Sequence, residues 1–173
     1  ADRTMKLSTV QRNVMIDDSR FKLWIAGRRT GKSTAIAYAS QYLCYSKPNQ
    51  MVYIVEPSYK MAKKLIVPEI IKINNQYKTG LRSFNKTDLH FTYKNGSNLY
   101  LVGADNFDSL RGAGLTYAFL DEAKDIDKEA FYSVILPALS DKQGGCLIAG
   151  TPYGTANWLY DLTKDTDFTQ FHN

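Results

Sequence analysis

Ala26-Gly27-Arg28-Arg29-Thr30-Gly31-Lys32-Ser33-Thr34 is the stretch that decides the fold. It leaves an apolar run, Phe21 to Ala26, that reads as a strand, and it opens a segment, Gly31 to Tyr45, that reads as a helix. A turn in that position is a phosphate-binding loop. Its backbone N–H groups and the helix N-terminus surround phosphate oxygens, Lys32 reaches the β and γ phosphates, and the Ser33 hydroxyl ligates Mg²⁺. Gly31 lets the backbone come closest to the phosphates. Ala26 stands where the pattern Gly-x-x-x-x-Gly-Lys-Ser/Thr has its first glycine, and its small side chain is expected to fit. The competing reading, a chance Gly-Lys-Ser at a helix start, is disfavoured by the strand before it and the helix after it.

A loop of this kind needs a carboxylate at the end of a neighbouring strand. Tyr117-Ala118-Phe119-Leu120-Asp121-Glu122-Ala123 supplies one, 89 residues after Lys32. Its apolar run buries the strand and brings Asp121 out at the carboxyl edge of the sheet, where open α/β sheets bind ligands. Asp121 is expected to hold Mg²⁺ through water, and Glu122 to polarise the attacking water. Alone, an Asp-Glu pair after a strand reads as a solvated helix cap. Together with the loop it marks a P-loop NTPase of the additional-strand, catalytic-Glu type, which hydrolyses ATP to do mechanical work. Leu147-Ile148-Ala149-Gly150-Thr151-Pro152-Tyr153-Gly154 is a further strand and polar turn. Thr151 is placed there to sense the γ-phosphate, against the plain reading of a Pro-Gly turn.

The rest of the chain agrees with an α/β fold in which helices flank a mostly parallel central sheet. Met51 to Glu56 reads as a strand, and Tyr59 to Tyr77 as a helix that Pro68 bends or divides. Leu89 to Lys94 and Asn98 to Val102 flank Asn95-Gly96, the signal of a type I′ hairpin, so a β-hairpin insert is expected. Thr116 to Leu120 and Gly145 to Ala149 read as strands, and Asp127 to Leu136 as a helix with Pro137 at its end. Four apolar strands separated by helices imply a sheet covered on both faces.

At 173 residues the chain fits one domain, at about 150 residues per domain, with a core large enough to need no disulfides. Residues 1–173 are therefore expected to form a single ATPase domain. Hydrophobic residues at 44% and charged residues at 23% exclude a disordered or repetitive chain. The longest apolar runs are too short to cross a bilayer, and no signal-peptide core is seen, so a soluble intracellular protein is expected. Cys44 and Cys146 sit in no zinc spacing and read as buried small hydrophobes; His90 and His172 read as ordinary strand residues. The net charge of +5 is uneven: residues 1–80 hold 14 Lys/Arg against 5 Asp/Glu, and residues 81–173 hold 8 against 12. A basic half suits a polyanion such as nucleic acid, or is a solvated surface.

With the three motifs in place, the chain resembles the ATPase domain of the large terminase subunit, the motor that packages DNA into tailed-phage heads. The matching pieces are Gly27-Arg28-Arg29-Thr30-Gly31-Lys32-Ser33, Phe119-Leu120-Asp121-Glu122-Ala123 and Gly150-Thr151-Pro152, in the family's order and spacing. The resemblance implies ATP with Mg²⁺, and at matching positions it implies roles. Gln11 stands where the family has an adenine-contacting glutamine, and Arg28 or Arg29 looks like the extra arginine of the terminase loop. Arg111, in Ser109-Leu110-Arg111-Gly112, resembles an arginine finger that reaches a neighbouring subunit's nucleotide; the alternative is a surface charge beside a glycine turn. The segment Glu56 to Lys64 looks like the family's DNA-side segment, or an ordinary helix start. The implied partners are double-stranded DNA, a portal protein, a terminase small subunit and, as a ring, further copies of the chain, with a monomer as the alternative for this stretch alone. No membrane is implied, and the implied compartment is the host cytoplasm. The family's nuclease domain is not recognised here: Asp161, Asp165 and Asp167 read as solvated, with no following sheet to arrange them, so DNA cleavage is not expected.

Two rivals use the same motifs. One is a fragment of a helicase-like, nucleic-acid-stimulated ATPase. The other is a P-loop module that binds ATP without turning it over, which the presence of Glu122 disfavours. Asn85-Lys86-Thr87-Asp88 matches a guanine-recognition pattern, but it precedes the acidic strand and enters a hairpin, so it reads as a turn.

Overall fold

A computed structural model describes residues 7–110 and 114–173. The strands are β1 (Phe21–Ile25), β2 (Met51–Glu56), β3 (Leu81–Asn85), β4 (His90–Tyr93), β5 (Asn98–Gly103), β6 (Tyr117–Leu120), β7 (Gly145–Gly150) and β8 (Phe168–His172). They form one sheet in the order β3-β4-β5-β2-β6-β7-β1-β8. Pairing is parallel from β5 through to β8, and antiparallel only where β4 meets β3 and β5. The additional strand, β7, lies between the strand of the phosphate loop, β1, and the acidic strand, β6. That arrangement is the one the sequence predicts.

Each inner strand is apolar on both faces because helices cover both. Leu23, Ile25, Tyr53, Val55, Ala118, Leu120 and Ile148 belong to one buried cluster. Their alternates Trp24, Ala26, Val52, Ile54, Phe119, Leu147 and Ala149 belong to the other. The period of two along a strand produces this division. Helix α1 (Thr9–Ile16) and helix α2 (Lys32–Ser46) contribute to the second cluster, through Val14 and through Ala35, Ile36, Ala37 and Cys44. Both cysteines are free and buried.

Two helices pass through proline by the same device. Helix α3 starts as Tyr59–Met61, widens into a π turn over Ala62–Ile66 and continues as Val67–Gln76, with Pro68 just inside the last piece. Helix α4 is a π turn over Ala130–Ile135 followed by Leu136–Ser140, with Pro137 in the same place. Proline offers no N–H and crowds the carbonyl four residues back. The wider turn in front of it removes that demand. The expectation that Pro137 ends its helix is therefore corrected: the helix runs on to Ser140. Helix α5 (Trp158–Leu162) precedes β8.

The hairpin insert is present but its turn differs from the type I′ expectation. Of Asn95 and Gly96 only Gly96 is left-handed, at φ +87°. The Tyr93 carbonyl accepts from Gly96 N–H at 3.1 Å and Tyr93 N–H donates to the Ser97 carbonyl at 3.0 Å, so the loop has three residues. Asn95 turns its amide to the end of α2, donating to the Cys44 carbonyl at 2.8 Å. The sequence reading missed β3, an edge strand, and α1, and it gave no bounds for β8, the other edge strand, although it read His172 as a strand residue. It also expected no sheet to follow Asp161, Asp165 and Asp167, where β8 follows directly. Asp161 and Asp167 are exposed and Asp165 half-buried.

Candidate nucleotide site

Strand parity brings four residues to one edge and one face. Ala26 follows Trp24, Glu56 follows Ile54, Asp121 follows Phe119 and Thr151 follows Ala149, all in the cluster that packs on α2. The ladder carries the alignment to the ends of the strands: Asp121 N–H donates to the Val55 carbonyl at 2.9 Å, and Ala26 N–H to the Gly150 carbonyl at 3.0 Å. The carboxyl ends of β1, β7, β6 and β2 thus present, side by side, the phosphate loop, Thr151, Asp121 and Glu56.

The loop turns through two left-handed residues. Arg29 is left-handed at φ +62° and Gly31 at φ +78°. Thr30 Oγ1 donates to the Gly27 carbonyl at 2.8 Å and closes the turn. The Lys32 ammonium lies inside it, donating to the carbonyls of Ala26 and Gly27, each at 2.9 Å. Burial lowers the pKa of Lys32, while Glu122 and then Asp121 oppose that shift. Ala26 replaces glycine without strain, since it is not left-handed and its methyl is buried in the core. Arg28 and Arg29 are both exposed at the tip, and Thr34 lies in the first turn of α2.

The acidic side meets the loop directly. Ser33 Oγ donates to Asp121 Oδ2 at 2.6 Å, and Asp121 Oδ1 accepts from Glu122 N–H at 3.0 Å. Glu122 turns out of the strand in the left-handed region at φ +50° and remains half-exposed. Its pKa is raised, by burial first and then by the field of Asp121, with Lys32 pulling the other way. A carboxylate so placed is a stronger base than a free one. Glu56 is fully buried, and burial followed by the field of Asp121 pushes its pKa up to about 10. Thr151 Oγ1 has no hydrogen-bond partner among the described residues, and Glu56 faces the carboxylate of Asp121, the acceptor for its proton.

Mg²⁺ fits this donor set. No group of three or more His, Cys, Asp or Glu among the described residues can hold a metal ion. Mg²⁺ does not need one: it binds through one or two hard oxygens and completes its shell with water and phosphate. The Ser33 hydroxyl and the Asp121 carboxylate, already in contact, are such a pair.

Residues 23–170 match the family model described as terminase large subunit, T4likevirus-type, N-terminal. The chain belongs to this family. A terminase large subunit of Escherichia phage T5 is 31% identical over 145 residues, covering 83% of this chain and 32% of that protein. The large terminase ATPase domain of Thermus phage P74-26 superposes with a TM-score of 0.83 at 24% identity, covering 96% of this chain and 80% of that one. The large terminase of another thermophilic bacteriophage, solved in complex with ATP-gamma-S, gives 0.77 at 17% identity, covering 96% and 44%. The chain spans about a third of the length of the curated relatives it matches.

Of the residues that the terminase resemblance singles out, the structure assembles the loop from Ala26 to Thr34 with Asp121, Glu122 and Thr151. Arg111 lies outside the described residues. Gln11 reaches the site from α1, with its amide on the loop carbonyls of Gly31 at 3.0 Å and Thr30 at 3.3 Å. Sequence reasoning missed α1 although its signal was present: Ser8-x-x-Gln11 is a capping box, and the structure makes both of its bonds. It missed Glu56 as well. The signal was an apolar strand ending in acid, the same pattern that identified Asp121. The open groove lined by Pro68, Ile71, Lys72, Asn75 and Gln76 on α3 includes none of these residues.

Proposed function

We propose that this chain hydrolyses ATP at the carboxyl edge of its sheet and that the hydrolysis drives double-stranded DNA into a viral procapsid. The observation that carries the reading is the contact of Ser33 with Asp121, which joins the phosphate loop to the acidic pair at 2.6 Å. Family membership supports it, as does the ATP-gamma-S complex of a structural neighbour, and the packaging role is what the terminase resemblance implies. In this reading Lys32 exchanges the Ala26 and Gly27 carbonyls for β- and γ-phosphate oxygens, and the loop N–H groups bind the rest. Glu122 accepts a proton from water as the water oxygen bonds to the γ-phosphorus; the bond to the bridging oxygen breaks, leaving ADP and phosphate. Ser33 and Asp121 would hold Mg²⁺, which offsets the charge on the phosphates. Thr151, with its hydroxyl unpartnered beside the site, senses loss of the γ-phosphate, and Arg28 or Arg29 contacts the phosphates from the loop tip.

The partners follow from the same reading. Lys60, Lys63 and Lys64 are exposed on the first turns of α3, and Lys86 on the β3–β4 turn. Tyr59 ties the two elements by donating its hydroxyl to the Thr87 carbonyl at 2.8 Å. This basic face continues directly from the end of β2 and is the DNA-facing surface of the proposal. Portal protein, small subunit and a homo-oligomeric ring complete the motor in the host cytoplasm, with Arg111 acting on a neighbour's nucleotide. Phosphate release measured with and without linear duplex DNA, over a wide range of protein concentration, tests the assembly. The rate per subunit should rise with concentration and with DNA, and Arg111→Ala should remove the rise. A flat rate that Arg111→Ala leaves unchanged contradicts the ring.

A further inference from the structure

The turn that carries Glu122 is held by residues beyond Thr151. Glu122 is the left-handed residue from which a 3₁₀ turn, Ala123–Asp125, starts. Its N–H donates to Asp121 Oδ1 and its carbonyl accepts from Asp125 N–H, each at 3.0 Å. A residue other than glycine in that region carries strain, and it keeps its conformation only where its surroundings fix it. Two side chains at the start of α5 do so here. Trp158, 7% exposed, donates its indole N–H to the Ala123 carbonyl at 3.0 Å. Asn157 donates its amide to the Lys124 carbonyl at 3.1 Å.

Packing joins the same pieces. A Cβ on Gly150, the last residue of β7 before Thr151, would lie 3.0 Å from Leu159 Cδ1 and 3.8 and 3.9 Å from the amide nitrogens of Ala123 and Lys124. The absence of that atom lets the end of β7, the Glu122 turn and α5 close on one another. Asn157 also accepts at Oδ1 from Leu159 N–H at 3.0 Å, which caps α5. The Trp158 ring packs on Phe131 with centroids 5.9 Å apart. Each residue thus has one part that fixes α5 and a separate N–H that reaches the backbone beside Glu122.

We propose that Asn157 and Trp158 are positioning residues for Glu122: their N–H groups hold Ala123 and Lys124 so that the carboxylate is aimed at the attacking water. This rests on the nucleotide-site reading above, in which Glu122 takes the proton from that water. A small displacement of such a group slows the chemistry without weakening the hold on the nucleotide.

The test is steady-state phosphate release at varied ATP, with ATP binding measured beside it. Trp158→Phe keeps the ring and removes the N–H. Asn157→Ser keeps an oxygen to cap α5 and is too short to reach Lys124. Each should lower kcat about tenfold and leave ATP affinity unchanged. Tyr93→Phe, which removes a hydrogen bond in the antiparallel wing, is the control for lost stability and should keep the wild-type kcat. In a Glu122→Gln background Trp158→Phe should slow the residual rate no further, because the group it positions is gone. A wild-type kcat in both Trp158→Phe and Asn157→Ser would overturn the proposal, and so would a loss that persists in full in the Glu122→Gln background. Equal rates in wild type and Glu122→Gln would instead overturn the nucleotide-site reading, and the proposal with it, whatever the other variants show.

Discussion

Gln41 and Glu56 are both buried polar residues on elements of the same sheet face, yet their surroundings are opposite. Gln41, in the middle of α2, accepts from the Tyr93 hydroxyl at 2.6 Å and from Asn74 Nδ2 at 3.2 Å, and donates to Ser40 Oγ at 3.4 Å. Asn74 is bonded in turn to Thr79 and to the Ile70 carbonyl, so one neutral network joins α2, α3 and the hairpin. Glu56 has no neutral network of this kind: it faces a second acid, Asp121, and shares a proton with it. Buried ionisable groups cost free energy, so they persist where they serve something other than stability. The antiparallel wing is tied to α2 and α3 by neutral hydrogen bonds. The carboxyl edge of the parallel strands carries the buried acids of the proposed nucleotide site.

The comparison can be broken most severely at Glu56. In the unfolded chain this carboxyl ionises at its ordinary value of 4.5, and in the folded chain at about 10. Between those values the folded state holds a proton that the unfolded state has lost, so stability falls as pH rises through that window. Glu56→Gln removes the effect. Denaturant unfolding should show it more stable than wild type by a few kcal/mol at neutral pH, with the gain shrinking towards zero below pH 4.5. A gain that is the same at every pH would place the origin in packing instead.

Tyr93→Phe sharpens the other side with a smaller effect. It removes one of the two hydrogen bonds to Gln41 Oε1 and leaves the ring in place, at a cost of about 1 kcal/mol. For a domain of this size the melting temperature should fall by about 2–4 °C, measured by circular dichroism. ATP affinity in the same preparation should not change, because the network reaches no residue of the loop.

How far the sequence was legible follows the same division. The loop and the acidic pair could be read because their chemistry lies in contiguous residues whose spacing is fixed by one strand end and one turn. The parallel strands could be read because burial on both faces leaves unbroken apolar runs such as Val52 to Val55. Leu81–Asn85 has no fully buried residue, and as an edge strand it carries no such run. Glu56 became a site residue only through the pairing of β2 with β6, which sets it level with Asp121. The contact of Gln11 with the Thr30 and Gly31 carbonyls depends on a packing of α1 across the loop that no local pattern specifies.

The most direct test of the central claim is steady-state phosphate release from ATP by the wild-type chain and Glu122→Gln, with ATP binding measured on both. Glu122 is the group assigned to take the proton from water, and an amide cannot accept it. Glu122→Gln should therefore bind ATP as wild type does and release phosphate about 10²–10⁴-fold more slowly. Equal rates in the two proteins would contradict the account, because the carboxylate beside Asp121 would then have no part in the chemistry.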